Sequence, residues 1–290
     1  MTTVADFLRE SIVALTAAGV PSPDADAELL VGHVLGRGRG EVQAQAILGA
    51  ELSDDQLAFA TSALERRVAR EPLQHITGVA GFRSLELAVG PGVFIPRPET
   101  EQVAQFAIDA LAAVPGDRPI GVDLGTGSGA IALSMAIEVP HAVVFAIEKS
   151  PEAFAWAIRN RDKANAPNAT IVLGDLDSAF VELDGTVDVV ISNPPYIPTD
   201  AIPRDLEVRL HDPELALYGG VDGLDVVRQV SRTAARLLHA GGTLVLEHGE
   251  LQGTEIAELL RADGWTAVAT HRDLLGRDRA TTALAESNQP

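Results

Sequence analysis

The chain has 290 residues, 46% of them apolar, and carries 22 Lys plus Arg against 41 Asp plus Glu for a formal net charge of −19. That length predicts a large domain beside a smaller one, since a typical domain holds roughly 100–200 residues. Without cysteine, disulfide scaffolds, thiolate zinc sites and thiol nucleophiles are excluded, and the acidic balance repels polyanions and disfavours nucleic acid as a partner. No uninterrupted apolar run approaches the ~20 residues of a membrane span. The start, MTTVADFLRESIV, is acidic where a secretory signal is basic, so the reading is a soluble, cytoplasmic protein.

Apolar residues recur at helical spacing from the start of the chain, as in Phe7, Leu8, Ile12 and Leu15, then Leu29, Leu30, Val34 and Leu35. Glycine, proline and capping residues break the pattern at 19–23, 36–40 and 49–53. A small helical domain over 1–75 follows. Between 76 and 97 the apolar stretches shorten (Phe82, Leu85, Leu87, then Val93, Phe94, Ile95) around glycines and a Pro-Gly turn, which predicts a β-hairpin linker.

From 98 to 290 helix and strand alternate. Strands are predicted at 120–124, 142–147, 170–173, 187–192 and 243–247, and helices at 99–113, 130–138, 151–164, 224–239 and 254–262. Short apolar strands separated by helices predict an α/β, doubly wound, Rossmann-like sheet. Segments 265–270 and 280–284 are read as a closing pair with an antiparallel edge strand. Residues 287–290 are read as frayed.

Two loops carry the chemistry. Asp123-Leu-Gly-Thr-Gly-Ser-Gly129 ends a predicted strand and opens a predicted helix, so Gly125, Gly127 and Gly129 let the backbone turn tightly and approach a ligand. Glu148 ends the following strand about 20 residues on, where a carboxylate can accept from ribose hydroxyls. Together they predict a nucleoside site. A nicotinamide dinucleotide is the rival ligand, but its fingerprint is G-x-G-x-x-G. Here the spacing is G-x-G-x-G behind Asp123, whose carboxylate suits a cofactor bearing an ammonium and a sulfonium, as S-adenosylmethionine does.

The second loop is Asp188-Val-Val-Ile-Ser-Asn-Pro-Pro-Tyr196. Its apolar half reads as a buried strand, which places Asn193 at the same carboxyl edge of the sheet as the glycine loop. Pro194 and Pro195 fix φ and supply no N–H, leaving a stiff loop with carbonyls free to accept, and Tyr196 offers a face on which a planar group can stack. An amide or exocyclic amine holds its lone pair in conjugation and is a poor nucleophile. Two acceptors gripping its N–H bonds orient the nitrogen and stabilise charge developing on it. His248, in Glu247-His-Gly, reads as structural, and the remaining histidines have no metal-ligand spacing.

These residues resemble the HemK/PrmC family, the N5-glutamine methyltransferases of peptide-chain release factors. Besides the two loops, the resemblance takes in Glu71-Pro-Leu-Gln-His-Ile-Thr-Gly78, Phe94-Ile-Pro-Arg-Pro-Glu-Thr-Glu101, Glu148-Lys-Ser-Pro-Glu-Ala153, Asp212-Pro-Glu-Leu-Ala-Leu217, Asp222-Gly-Leu-Asp225 and Leu246-Glu-His-Gly249. Asn-Pro-Pro-Tyr is shared with adenine-N6 DNA methyltransferases, so the Pro-Arg-Pro-Glu-Thr-Glu segment behind a helical domain is the more specific mark. The resemblance implies that Asp123, Gly125, Thr126, Gly127, Ser128, Gly129, Glu148, Lys149, Asp175, Leu176 and Asn193 hold S-adenosylmethionine, leaving S-adenosylhomocysteine as product. It implies that Asn193, Pro194 and Tyr196 are catalytic, and that Phe94, Arg97 and Pro195 complete the glutamine pocket with them. Leu176 is a departure, since some relatives have tryptophan there to cover the adenine. The helical domain is implied to engage a class I release factor through its Gly-Gly-Gln loop, with the enzyme a monomer, no metal and no membrane. Glutamine methylation of a ribosomal protein, adenine-N6 methylation of nucleic acid and a non-catalytic donor-binding module stay open as alternatives.

Overall fold

The first helix, α1 (Val4–Ala17), starts where the Thr3 hydroxyl accepts the Asp6 N–H, which satisfies one of the donors a helix N-terminus leaves free. Three further helices follow, α2 (Pro23–Leu35), α3 (Arg39–Ile47) and α4 (Asp54–Val68), then the short α5 (Leu73–Thr77). Gly36 ends α2 in a left-handed conformation, and Ser53 with Gln56 forms a reciprocal capping box at the start of α4. Phe7, Leu15, Val31 and Val42 make the buried centre of this layer.

The computed structural model describes residues 2–286, so the 287–290 segment read as frayed lies outside the described residues. The chain forms two compact units: residues up to Val79 with Arg204–His211, and Ala80–Pro203 with the stretch from Asp212 onward.

The second unit carries a two-stranded hairpin, β1 (Val79–Phe82) and β2 (Leu85–Ala88), then α6 (Pro98–Ala113). Strand and helix then alternate through β3 (Ile120–Leu124), α7 (Ala130–Glu138), β4 (Val143–Glu148), α8 (Pro151–Ala164), β5 (Ala169–Leu173) and β6 (Val187–Ser192). The short α9 (Leu206–His211) belongs to the first unit. It had no strong periodic signature in the sequence. Its Glu207 carboxylate is paired with the buried Arg67 at 2.8 Å and with Arg70 at 3.0 Å, and Arg67 also binds Asp26 at 2.7 Å. The chain closes with α10 (Asp225–Leu237), β7 (Leu238–Glu247), α11 (Gly253–Ala262), β8 (Thr266–Arg272) and β9 (Asp278–Leu284).

The large sheet runs β5-β4-β3-β6-β7-β9-β8, parallel except for β9, which is antiparallel to both neighbours. Strand side chains alternate between two cores. Val189, Ile191 and Val245 face the layer with α6 and α7, while Val122, Leu124, Val190, Leu244 and Leu246 face the layer with α10 and α11. Val187 lies with the second set despite its odd number, because the β6–β7 register shifts between Val187 and Val189. Where a helix was predicted over 224–239, α10 stops at Leu237 and β7 starts five residues early. Leu238 pairs with Val187 across that irregularity, and Gly241, at φ +81°, absorbs the turn.

Sequence order along the sheet reverses at β3, whose neighbours are β4 and β6. In an open α/β sheet the crevice for ligands lies outside the carboxyl ends of the strands at such a reversal.

Candidate active site

Both chemically marked loops leave the sheet at that reversal. Asp123 pairs with Ile191 across β3 and β6, so Gly125 and Asn193 follow their strands side by side, and the Ser192 hydroxyl donates to the Leu124 carbonyl at 2.6 Å.

Gly125, Gly127 and Gly129 have φ of +79°, +57° and +86°, a region a side chain would strain. A Cβ at Gly129 would lie 3.1 Å from Leu133, whereas at Gly125 or Gly127 it would meet nothing within 4 Å. One glycine therefore packs the loop onto α7, and the other two leave an open cradle. Asp123 is wholly buried: one carboxylate oxygen accepts from the Thr126 hydroxyl at 2.6 Å and the Ala132 N–H at 3.1 Å, and the other has no partner among the described residues. Burial pushes its pKa up to about 7, opposed by those two hydrogen bonds.

Glu148 is buried at the end of β4. Its two oxygens accept the Gly127 N–H and the Ser150 N–H, each at 2.8 Å, which ties the glycine loop to the neighbouring strand end. Lys149 is exposed and meets Asp175 at 2.9 Å, an ion pair that lowers the Asp175 pKa and raises that of Lys149. Leu176 packs against the α10-side core, and its carbonyl accepts from Thr233 at 3.1 Å. Ser128 is buried, with its carbonyl accepting from Asn160 of α8 at 2.9 Å.

On the β6 side, Asn193 is half-buried, and its carboxamide makes no hydrogen bond with the chain among the described residues. The proline carbonyls were expected to be free together with the rest of the loop, and the structure divides them. The Tyr196 carbonyl accepts from Gln252 Nε2 at 3.0 Å, and the Ile197 carbonyl accepts from the Gly219 N–H at 2.9 Å. No chain donor engages the Pro195 carbonyl among the described residues, but a Cβ on Gly219 would lie 2.4 Å from its oxygen, so the Gly219 backbone stands close against it. Pro194, buried next to Asn193, likewise keeps a carbonyl that no chain donor engages among the described residues, with no glycine set against its oxygen. The Tyr196 ring is half-buried, and burial, with the nearby Glu247 charge, pushes its phenol up to about 12.

Arg97 lies 5.0 Å from the centre of the Phe94 ring and donates to the buried Asp212 carboxylate at 2.6 Å. Its charge also acts on the Tyr196 phenol, so the segment before the sheet and the Asn-Pro-Pro-Tyr loop share one electrostatic environment. Glu247 ends β7 wholly buried, with burial raising its carboxyl to about 7. His248 is also buried: Nδ1 meets the Gly249 carbonyl and Nε2 the Thr281 hydroxyl, each at 2.9 Å, and burial lowers its pKa, as suits a neutral structural imidazole.

Sequence reasoning missed Asn160 and Gln252. The Asn160 signal was present: Ala153, Ala157 and Asn160 form the buried stripe of α8, and a polar residue on such a stripe marks a buried hydrogen-bonding duty. Gln252 left no comparable trace, because it is a half-buried residue in a turn.

A doubly wound sheet with one antiparallel strand near its edge, and a glycine loop and an Asn-Pro-Pro-Tyr loop at its reversal point, defines a class I methyltransferase. A solved methyltransferase structure from Pyrococcus furiosus has this fold, with a TM-score of 0.52 and 20% identity, covering 78% of this chain and 99% of that one. The chain matches the PrmC N-terminal domain over residues 6–78 and the methyltransferase small domain over 85–210. It is 49% identical to a release factor glutamine methyltransferase of Streptomyces coelicolor, over 93% of both chains, and 44% identical to one of Bifidobacterium longum, over 97% of this chain and 99% of that one. The chain belongs to the release factor glutamine methyltransferase family. It is also 40% identical, over 93% of its length and 91% of the relative's, to a 4-amino-L-phenylalanine/4-methylamino-L-phenylalanine methyltransferase of Streptomyces pristinaespiralis.

Proposed function

We propose that the chain methylates the side-chain amide nitrogen of the glutamine in the Gly-Gly-Gln loop of class I release factors, using S-adenosylmethionine. The observation that carries this reading is an Asn193 carboxamide and a Pro194 carbonyl that make no hydrogen bond among the described residues, at the strand end next to the glycine cradle. Full-length similarity to enzymes named for that reaction supports it.

The residues present fit the donor. Open space over Gly125 and Gly127 leaves room for it, Glu148 keeps lone pairs for ribose hydroxyls, and the unpartnered Asp123 oxygen adds negative character under the loop. Ser128, Lys149, Asp175, Leu176 and Asn193 complete the set we assign to it. When bound, S-adenosylmethionine supplies a methyl group on a sulfonium. The chain's own part is to hold the acceptor: Asn193 Oδ1 and the Pro194 carbonyl accept the two amide N–H bonds, fix the nitrogen's direction and stabilise positive charge as it develops there. Tyr196, with its phenol kept neutral, presents a flat face to the carboxamide. Phe94 and Arg97 line the approach, Arg97 held by Asp212.

We assign release-factor binding to the helical unit, and read the protein as a cytoplasmic monomer without nucleic acid. Among the described residues no helix is long and apolar enough to cross a membrane. The −19 charge opposes adenine-N6 chemistry on a polynucleotide, since phosphate contacts supply most non-specific affinity.

The aromatic-amine relative favours a second reading, because an arylamine is also a planar, conjugated nitrogen that two acceptors can grip. Mass spectrometry separates the two. Incubated with labelled donor, a release factor should gain a single methyl on the Gly-Gly-Gln glutamine while 4-amino-L-phenylalanine stays unmodified. Methylated amino acid beside an unmodified release factor would reverse the assignment.

Glu148 gives a test of the donor site. Glu148→Ala should weaken S-adenosylmethionine binding by about 1–3 kcal/mol, because it strips an acceptor from buried donors. Calorimetry giving the wild-type affinity would remove Glu148 from the site.

A further inference from the structure

We infer that Gln252 is a positioning residue for methyl transfer: its carboxamide clamps the Asn193–Tyr196 loop to the turn after β7 and so sets where the substrate's acceptors stand. This rests on the reading of that loop as the glutamine site.

Gln252 is the residue before α11, and its carbonyl accepts the Ile256 N–H at 2.9 Å, so its backbone is fixed by the helix start. The side chain bridges two other loops. Nε2 donates to the Tyr196 carbonyl at 3.0 Å, and Oε1 accepts the Gly249 N–H at 3.0 Å. A carboxamide suits this task because it carries a donor and an acceptor on one rigid plane.

Two glycines keep room for that plane. A Cβ at Gly223 would sit 2.4 Å from the Tyr196 oxygen and 2.9 Å from Gln252 Nε2, and one at Gly249 would sit 2.9 Å from Gln252 Oε1. All three distances lie below ordinary contact, so any larger residue at either position would displace the bridge. Gly223 also has φ +77°, and its N–H donates to the Gly220 carbonyl at 3.2 Å. The stretch around it binds the acceptor loop further on, with the Gly219 N–H donating to Ile197 and the Ile197 N–H to Leu217, each at 2.9 Å.

The consequence is mechanical. Prolines 194 and 195 stiffen the loop but offer no N–H by which the fold could hold it, and the Asn193 side chain has no partner among the described residues. With β6 fixed up to Ser192, what orients Asn193 and the Pro194 carbonyl from the other end is the anchoring of residues 196 and 197. Gln252 supplies the side-chain part of that anchor from outside the loop. It touches neither the glycine cradle nor Glu148 by any hydrogen bond, so its loss falls on acceptor geometry rather than on donor binding.

The test uses the full chain, a release factor and S-adenosylmethionine, with kcat from transfer assays, donor Kd from calorimetry and Tm from thermal unfolding. Gln252→Met keeps the volume and loses both bonds. Gln252→Glu keeps the acceptor for Gly249 and loses the donor to Tyr196, and when ionised it also turns a second acceptor toward that carbonyl. A misplacement of about 1 Å can cost up to ~100-fold in rate, so both variants should lose about 10- to 100-fold in kcat with donor Kd within about twofold of wild type. If Gln252→Met fails to fold, the glutamate variant carries the test alone. Transfer within about twofold of wild type, or a fall in donor affinity as large as the fall in kcat, overturns the inference. Wild type assayed alongside keeps the two questions apart: an unmodified release factor in that sample sinks the underlying reading, while normal wild-type transfer matched by the variants sinks only the clamp.

Discussion

Asn193→Ala should slow methyl transfer by about 10²–10³ in kcat, about 3–4 kcal/mol of transition-state stabilisation, by analogy with the loss of a single donor from an oxyanion hole. The sign is inverted relative to that analogy, since here an acceptor meets positive charge growing on nitrogen, but the electrostatics are the same. The competing account is that Asn193 only ends β6 and holds the turn. Its carboxamide makes no hydrogen bond with the chain among the described residues, so truncation leaves no buried group of the fold unpaired. Stability should therefore change little, and donor affinity should fall much less than kcat. Single-turnover rates measured beside thermal unfolding decide it. A folded, donor-binding variant that transfers methyl within a few-fold of wild type would refute the role.

The parts of the site legible in the sequence are those whose function is fixed by local chemistry. Glycines at 125, 127 and 129 read correctly because left-handed φ and room over the backbone are properties of single residues, and all three take positive φ in the fold. The strands around them read well because β3 and β6 are short apolar runs between helices. Illegible were the contacts that join segments distant in sequence. Nothing near Gln252 announced a bond to Tyr196, and nothing near Glu207 announced that residues 204–211 would be drawn into the helical unit by Arg67 and Arg70. The carbonyls of the Asn-Pro-Pro-Tyr loop show the same limit. Proline removes donors by its covalent structure, which sequence states, but which acceptors remain free depends on glycines more than twenty residues away, which it does not.

Asn160→Ala should destabilise the protein by about 2–5 kcal/mol, among the largest losses a single polar truncation gives, because it orphans three buried backbone groups at once. Asn160 is nearly inaccessible on the inner face of α8. Its Oδ1 accepts the Ala88 N–H at 2.7 Å, and its Nδ2 donates to the Ala88 carbonyl at 3.0 Å and to the Ser128 carbonyl at 2.9 Å. One side chain thus ties the end of β2 to the glycine loop. Water can replace part of what alanine removes, which is why the expected loss is smaller than three full desolvation penalties. The aspartate variant sharpens the test. Asn160→Asp still accepts from Ala88 but, when ionised, turns a second acceptor toward two carbonyls, so its native pKa must rise above the unfolded value. A group with a raised native pKa contributes stability that is fully present below the unfolded pKa and is lost as pH rises through the native one. Asn160→Asp should therefore approach wild-type stability in mild acid and fall behind it towards neutral pH, while Asn160→Ala stays low at both. Since the Ser128 carbonyl belongs to the donor loop, S-adenosylmethionine affinity should weaken in step with stability in both variants. Denaturant unfolding at two pH values, with calorimetry on the folded protein, reads all three effects, and an alanine variant within about 0.5 kcal/mol of wild type would show that the bridge holds nothing.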